Sequence, residues 1–224
     1  MTHIILNFHG VGEPHPRVAP SEARYWLSLE AYRRALDAIQ EVTSHTGQNV
    51  SITFDDGNLS DLTLALPELL KRDMQAAFFV CSGRIGLDHY LDGPALQELL
   101  QSGMEIGSHG VDHVNLRHIA QADLAREAGT SRKVLEDVCQ RTVDTFAIPF
   151  GSYDRRVLAA LRREKYRTVF TSDGGRASSQ AWMQARQTLQ FDWEDGQAIQ
   201  KNLHKPALQD RVKRLLLKCY KSWR

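Results

Sequence analysis

Asp55 and Asp56 stand side by side at the end of an apolar run, Val50-Ser51-Ile52-Thr53-Phe54, and are followed at once by Gly57 and Asn58. Val, Ile, Thr and Phe favour a strand, and a Gly-Asn pair ends one. Carboxylates at the carboxyl end of a buried strand sit where α/β proteins place their chemistry. Two adjacent negative charges also repel, unless a cation or a shared proton resolves the conflict. The plainer alternative is an Asp-Gly turn feeding helix caps.

A second constellation, Gly107-Ser108-His109-Gly110-Val111-Asp112-His113, follows the strand-like Met104-Glu105-Ile106. Imidazoles four residues apart share one face of a helical turn or converge from a tight loop. Neutral imidazole is a good zinc ligand, and two His with one carboxylate leave coordination positions free for water and substrate. With nine His in the chain, one such spacing is unremarkable by itself. Its coincidence with a carboxylate pair at another strand end asks for a common cause, and a divalent metal supplies one. A third piece, Phe146-Ala147-Ile148-Pro149-Phe150-Gly151-Ser152-Tyr153-Asp154, reads as a strand that breaks at Pro149 and Gly151 and restarts as a helix with Asp154 as N-cap. A loop stiffened by Pro and Gly can also direct backbone N–H groups at a ligand.

In this order the three pieces resemble the motifs of the polysaccharide deacetylase family, whose members remove acetyl groups from N-acetylated sugars. Thr53-Phe54-Asp55-Asp56-Gly57 matches the first motif as it stands. Ser108-His109-Gly110-Val111-Asp112-His113 fits the second, a His-x-x-x-His pattern, with Gly110 where Ser or Thr is usual. Ala147-Ile148-Pro149-Phe150-Gly151 looks like the third, with Ala147 in place of an expected Arg. The resemblance covers about residues 3–190. It implies a distorted (β/α)7-type α/β barrel, a zinc-type divalent metal and amide hydrolysis on an N-acetylated carbohydrate. Co2+, Fe2+ and Ni2+ suit the same donors.

By the same resemblance, Asp56, His109 and His113 would hold the metal, Asp55 would be the general base, and the Phe150 N–H would steady an oxyanion. Spacing alone does not choose between the two aspartates. Pro149, Phe150 and Gly151 are the expected substrate-binding loop. The missing Arg would orient the base, and Arg186, at the start of the last strand candidate, is a candidate replacement that joins the substrate-binding set; a surface residue beside Trp182 is the rival reading. His9, after the first strand, is a candidate for substrate contact or proton delivery, against a structural role at a strand end. The family's acid motif has no clear counterpart: Asn202-Leu203-His204 lacks the spacing, and His204 reads better as a linker residue. For the fourth motif, Asp173 occupies a plausible strand end, whereas Phe191-Asp192-Trp193 comes late.

Elements that could position these groups recur along the chain. Strand candidates are 3–8, 50–54, 75–80, 104–107, 144–148, 166–170 and 186–191, alternating with helical patterns at 28–41, 61–72, 94–102, 120–139 and 154–164. Such alternation predicts a mostly parallel sheet or barrel, and one domain is natural at 224 residues. The 42% hydrophobic and 25% charged composition argues against disorder. Residues 10–27 form a long loop in which Tyr25 and Trp26 either stack on a sugar or anchor the loop.

A net charge of +1 excludes a dominant polyanion-binding role, so no nucleic-acid partner is expected. The barrel is assigned to residues 1–204, and 205–224 reads as a basic amphipathic helix, packed on the barrel or drawn to an anionic membrane surface. Three widely spaced cysteines and the absence of a leader-like start predict a cytoplasmic protein, at the inner membrane face if that helix touches lipid. Competing functions are a metal-dependent amidase on a non-sugar acylamide and a catalytically silent glycan-binding relative.

Overall fold

The structure, a computed structural model, describes residues 2–190 and 217–223. Its strands are β1 (Thr2–Phe8), β2 (Val50–Asp56), β3 (Ala76–Val80), β4 (Glu105–Ser108), β5 (Thr145–Ala147), β6 (Thr168–Thr171), β7 (Ala177–Ser178), β8 (Met183–Ala185) and β9 (Gln187–Thr188). The helices are α1 (Pro20–Ala23), α2 (Leu29–Thr46), α3 (Leu66–Leu70), α4 (Gly93–Gln101), α5 (Gln121–Ala125), α6 (Ser131–Cys139) and α7 (Arg155–Arg163).

Strands β1 to β6 pair with their sequence neighbours in parallel. β8 then pairs with β6 and β9 with β1, both in parallel, so the stretch 183–188 spans the gap and nearly closes the ring. This is the expected distorted (β/α)7-type barrel in a single domain. Short β7 adds antiparallel to the start of β1. The last strand differs from the sequence expectation of 186–191: it begins at Met183 and is split at Arg186, whose side chain turns fully inward. β6 likewise starts later than expected, because Lys165 (φ 59°) and Tyr166 are still in the turn that ends α7, with Tyr166 N–H donating to the Leu161 carbonyl.

Parallel strands covered on both faces should be apolar throughout, and Ile4, Leu6, Phe8, Phe54, Phe78 and Val80 are all buried in one core with α2, α3 and α4. α2 contributes Ala31, Tyr32, Ala35, Leu36 and Ile39 on one face, starts at a Ser28 cap that accepts from Ala31 N–H, and ends at Gly47 with φ 64°. A second core joins Phe146, Ile148, Val157, Leu161 and Val169 beneath α5 and α7. Asp154 caps α7 as expected, accepting from Val157 N–H.

Two helices expected to be continuous are interrupted. A π-helical turn occupies Asp61–Ala65 before α3, and another, Arg126–Thr130, separates α5 from α6. π-turns are frequent at functional sites. Here each carries one fully buried carboxylate, Asp61 and Glu127.

Candidate metal and active site

Because the strands are parallel, their carboxyl ends share one rim, and Asp55-Asp56, His109 and the 149–151 loop all arrive there. A cavity of about 600 Å³ opens at this rim, with His9, Asp55, Asp56, His109, His113 and Arg186 in its wall. A cavity of about 650 Å³ lies at the opposite, amino ends of β2 to β4, lined by residues such as Arg72, Asp73 and Glu105, and holds neither the paired aspartates nor the paired imidazoles.

Asp56 takes a left-handed backbone, φ 81°, as do His113 (φ 54°) and Phe150 (φ 58°). Each such position costs of order 1–3 kcal/mol, and they cluster where function holds them. The outcome is that ligand-type atoms of Asp56, His109 and His113 lie within 4.8 Å of one another. His109 Nε2 is 3.8 Å and His113 Nε2 3.3 Å from Asp56 Oδ1. The histidines converge from a loop rather than from a helical face, since His113 lies in irregular backbone.

The hydrogen bonds at the two Nδ1 atoms orient both rings for ligation, and the protonation of His109 fits it as well. His109 Nδ1 lies 2.8 Å from the Ala147 carbonyl, which can only accept, so the proton sits on Nδ1 and the Nε2 lone pair faces Asp56. Burial lowers the His109 pKa to about 4, and the ring is neutral at neutral pH. His113 Nδ1 meets Glu22 Oε1 at 3.1 Å in the same manner. Burial opposes its charged form, but Asp56 and Glu22 outweigh burial and raise its pKa. Asp56 Oδ1 is buried with no hydrogen-bond partner among the described residues. An orphaned carboxylate oxygen facing two imidazole lone pairs fits a divalent cation. A second trio, His15, Asp88 and His89, also brings ligand-type atoms together, but it does not line the cavity at this rim.

Asp55 borders this trio, with its Oδ2 3.9 Å from His109 Nε2, and is held by a network of its own. Arg186 grips it with Nη1 to Oδ1 and Nη2 to Oδ2, both at 2.7 Å, and Asn7 Nδ2 donates to Oδ2 at 2.9 Å. Asn7 Oδ1 in turn accepts from Arg186 and from the Thr53 hydroxyl, each at 2.8 Å. Burial pushes the Asp55 carboxyl up, yet Arg186, with His109 and His9, outweighs it and holds the group below the ordinary carboxylate range. Arg186 is therefore no surface residue beside Trp182; it is fully buried, with its guanidinium over the Phe79 ring.

Gly110 stands where the second motif usually has Ser or Thr, and its surroundings explain this. It has φ +85°, and a Cβ would meet Glu127 Oε2 at 2.7 Å. That carboxylate instead accepts from Val111 N–H at 2.7 Å and Asp112 N–H at 3.2 Å, fixing the loop that ends at His113. Ser108 Oγ and Ser131 Oγ, 2.5 Å apart, brace the same loop through Gly110.

The other expected site residues divide. Phe150 is exposed on the cavity wall, its ring 4.5 Å from that of His113. Pro149 and Gly151 are buried and shape the loop without lining the cavity. His9 lines it and stacks on Tyr25 at 4.8 Å, with its pKa lowered by burial. Trp26 is buried against Gly10, where any Cβ would strike its ring, so it anchors the loop. Part of that loop is helical, as α1, which carries Glu22. Asp173 accepts from the Tyr153 and Thr171 hydroxyls and from Lys221 Nζ, at 2.6 Å in the last case. Lys221 belongs to a helical stretch, 217–223, and also donates to the Gly151 carbonyl at 3.1 Å. His204, Phe191-Asp192-Trp193 and the remainder of the expected C-terminal helix, 205–216 and Arg224, lie outside the described residues.

Sequence reasoning missed Asn7, Glu22, Arg84 and Glu127. Asn7 alone left a signal, a polar residue inside an apolar strand; Arg84 lies 3.7 Å from Asp56 and 3.4 Å from Glu22.

Comparison with known proteins agrees with the fold and the motifs. YxkH of Bacillus subtilis is 31% identical over 136 residues, 61% of this chain and 49% of that protein. A chitooligosaccharide deacetylase of Azorhizobium caulinodans is 30% identical over 123 residues, 54% of this chain and 57% of that protein. The chain thus spans about half the length of these curated relatives. Among solved structures, the Streptococcus pyogenes deacetylase PplD in complex with acetate superposes with a TM-score of 0.77 at 20% identity, covering 91% of this chain and 99% of that one. IcaB from Ammonifex degensii gives 0.72 at 23% identity, covering 88% and 96%. The sequence profile described as polysaccharide deacetylase matches residues 33–169, more than half the chain and a range that contains the paired aspartates and paired histidines, and the chain belongs to that family.

Proposed function

We propose that the chain is a metal-dependent hydrolase that removes N-acetyl groups from an N-acetylated sugar or glycan, in polysaccharide or lipid-linked glycan synthesis. The observation that carries this is the division of labour between neighbours: Asp56 faces both imidazoles with an oxygen that has no hydrogen-bond partner among the described residues, while Asp55, also close to His109, is gripped at both oxygens and held ionised by Arg186. Asp56, His109 and His113 would hold the ion, and their nitrogen and oxygen donors favour Zn2+, with Co2+, Fe2+ or Ni2+ as substitutes.

A divalent ion bound there supplies an acidified water and a polarised acetamide carbonyl. Asp55 takes the proton of the attacking water at a carboxylate oxygen. Arg186 and Asn7 fix that carboxylate in place, so the missing motif-three Arg is replaced from another strand. The Phe150 N–H, at the left-handed turn between Pro149 and Gly151, steadies the negative oxygen that develops at the former carbonyl. Asp55 returns its proton to the departing nitrogen, leaving acetate and a free amine. His9, kept neutral by burial beside Tyr25, contacts the sugar by hydrogen bonding. Chitooligosaccharide deacetylase among the relatives supports an N-acetylglucosamine-type substrate. The Arg186–Asp55 pair weighs against a catalytically silent relative.

Among the described residues no helix is long and apolar enough to cross a membrane. The basic 205–224 segment, with exposed Leu217, Tyr220 and Trp223 in its described part, supports a peripheral contact at the cytoplasmic membrane face, and the free thiols of Cys81, Cys139 and Cys219 fit that reducing compartment.

The test is acetate release from N-acetylglucosamine oligomers by the chain loaded with zinc or cobalt, beside a panel of small acylamides. Release from the oligomers, lost with chelator, is expected. Turnover of the acylamides alone would favour the amidase reading, and no turnover at all would remove the enzyme reading.

A further inference from the structure

We infer that Glu22 is a positioning residue for the metal centre, its carboxylate holding the His113 ring in the tautomer and orientation that turn Nε2 toward Asp56. The inference rests on the metal reading above and names a residue that no motif contains. Glu22 lies on α1, in the long segment between β1 and α2, 91 positions before His113 in sequence. Its Oε1 is 3.1 Å from His113 Nδ1, and a carboxylate there accepts, so Nδ1 carries the proton. The opposite ring nitrogen then offers its lone pair 3.3 Å from Asp56 Oδ1. The Ala147 carbonyl does the same for His109, but a carboxylate adds a full negative charge, which makes the imidazole a more basic ligand.

Glu22 is itself held. Arg84 Nη2 stands 3.4 Å from its Oε1, and the Glu22 side chain is only 21% exposed. The 9–28 segment therefore reaches the centre at a defined point, and its Trp26 anchor fixes that approach. Partners in this position change metal affinity by about 10–100-fold when removed.

The experiment measures the zinc dissociation constant of the full chain by chelator competition, for wild type, Glu22→Ala and Glu22→Gln. Alongside it, 15N spectra of labelled histidine in stripped protein, recorded at alkaline pH where the His113 ring is neutral, report the imidazole tautomers, which a merely structural role for Glu22 would not move. Glu22→Ala is expected to weaken zinc binding about 10–100-fold and to turn the His113 Nδ1–H signal into a tautomer mixture. Glu22→Gln, whose amide oxygen still accepts, is expected to lose less and to keep the tautomer. An unchanged dissociation constant in Glu22→Ala, with wild type binding zinc, overturns the inference alone. A wild-type chain that binds no zinc overturns the metal reading and this inference with it. Should the alanine variant fail to fold, Glu22→Gln carries the test, with a loss of about threefold or more expected from the charge-assisted bond and none overturning the inference.

Discussion

Arg186 and Asp55 meet in a two-pronged ion pair, Nη1 to Oδ1 and Nη2 to Oδ2 at 2.7 Å, between side chains that are 0% and 3% exposed. They come from opposite ends of the chain: Arg186 sits at the split between β8 and β9, and Asp55 near the end of β2. The stretch that closes the barrel thus delivers a buried cation to Asp55, while Ala147 carries none.

Replacing Arg186 by Gln should leave a buried carboxylate without its main counter-charge, at a cost of about 3–5 kcal/mol. The Asp55 carboxyl is held below its ordinary value, so the pair's stabilisation is present above the unfolded carboxylate value, about pH 4, and fades as pH falls. Without Arg186, burial dominates and the carboxyl titrates at higher pH. The acid limb of the rate profile, which needs Asp55 ionised, should move up in pH. A limb that stays in place would mean that another group titrates there.

Asp55→Asn should keep the ion and lose the reaction. The amide cannot take a proton from water, so turnover should fall roughly 10²–10⁴-fold, while bound zinc per chain by elemental analysis stays at the wild-type level. Loss of metal together with activity would instead make Asp55 a ligand.

Asp61 is buried on its π-turn, and neither oxygen has a hydrogen-bond partner among the described residues. Burial, then the charges of Asp56 and Asp55, push its carboxyl well above the ordinary value. The sign is the reverse of Asp55: the fold favours the protonated form, so stability declines as pH rises above the unfolded value, about 4. Asp61→Asn cannot ionise. Thermal melts in chelator from pH 4 to pH 8 should show the variant gaining on wild type as pH rises, and a constant difference would contradict this.

The C-terminal segment carries seven basic residues between 205 and 224 against one acid, Asp210. Each basic residue near an anionic surface contributes about 1 kcal/mol. The 224-residue chain should co-sediment with anionic vesicles in a salt-sensitive manner, and chain lacking 205–224 should not. Equal binding by both would leave the segment with a packing role only, of the kind already seen in Lys221 on Asp173 and Gly151.

The alternation of apolar strand runs and helical faces, the two adjacent aspartates and the two spaced histidines were all readable along the chain, because each is written within a few residues. Local period decides strand or helix, and parallel pairing then sends every carboxyl end to one rim. Asp154 as a cap was legible for the same local reason, whereas the choice for Trp26 between sugar stacking and loop anchoring was decided by its packing on Gly10. What tertiary structure alone decided is who meets whom across the ring. Asn7 meets Asp55 because Asn7 and Thr53 are in register on β1 and β2. Arg186 reaches Asp55 only because β8 pairs with β6 and β9 with β1, which turns the residue between them inward. Glu22 and His113, and Glu127 and the Gly110 loop, are likewise joined by the packing of distant segments. A hydrogen bond between side chains far apart in sequence leaves no periodic trace, since its geometry is set by barrel closure and not by either residue's neighbours.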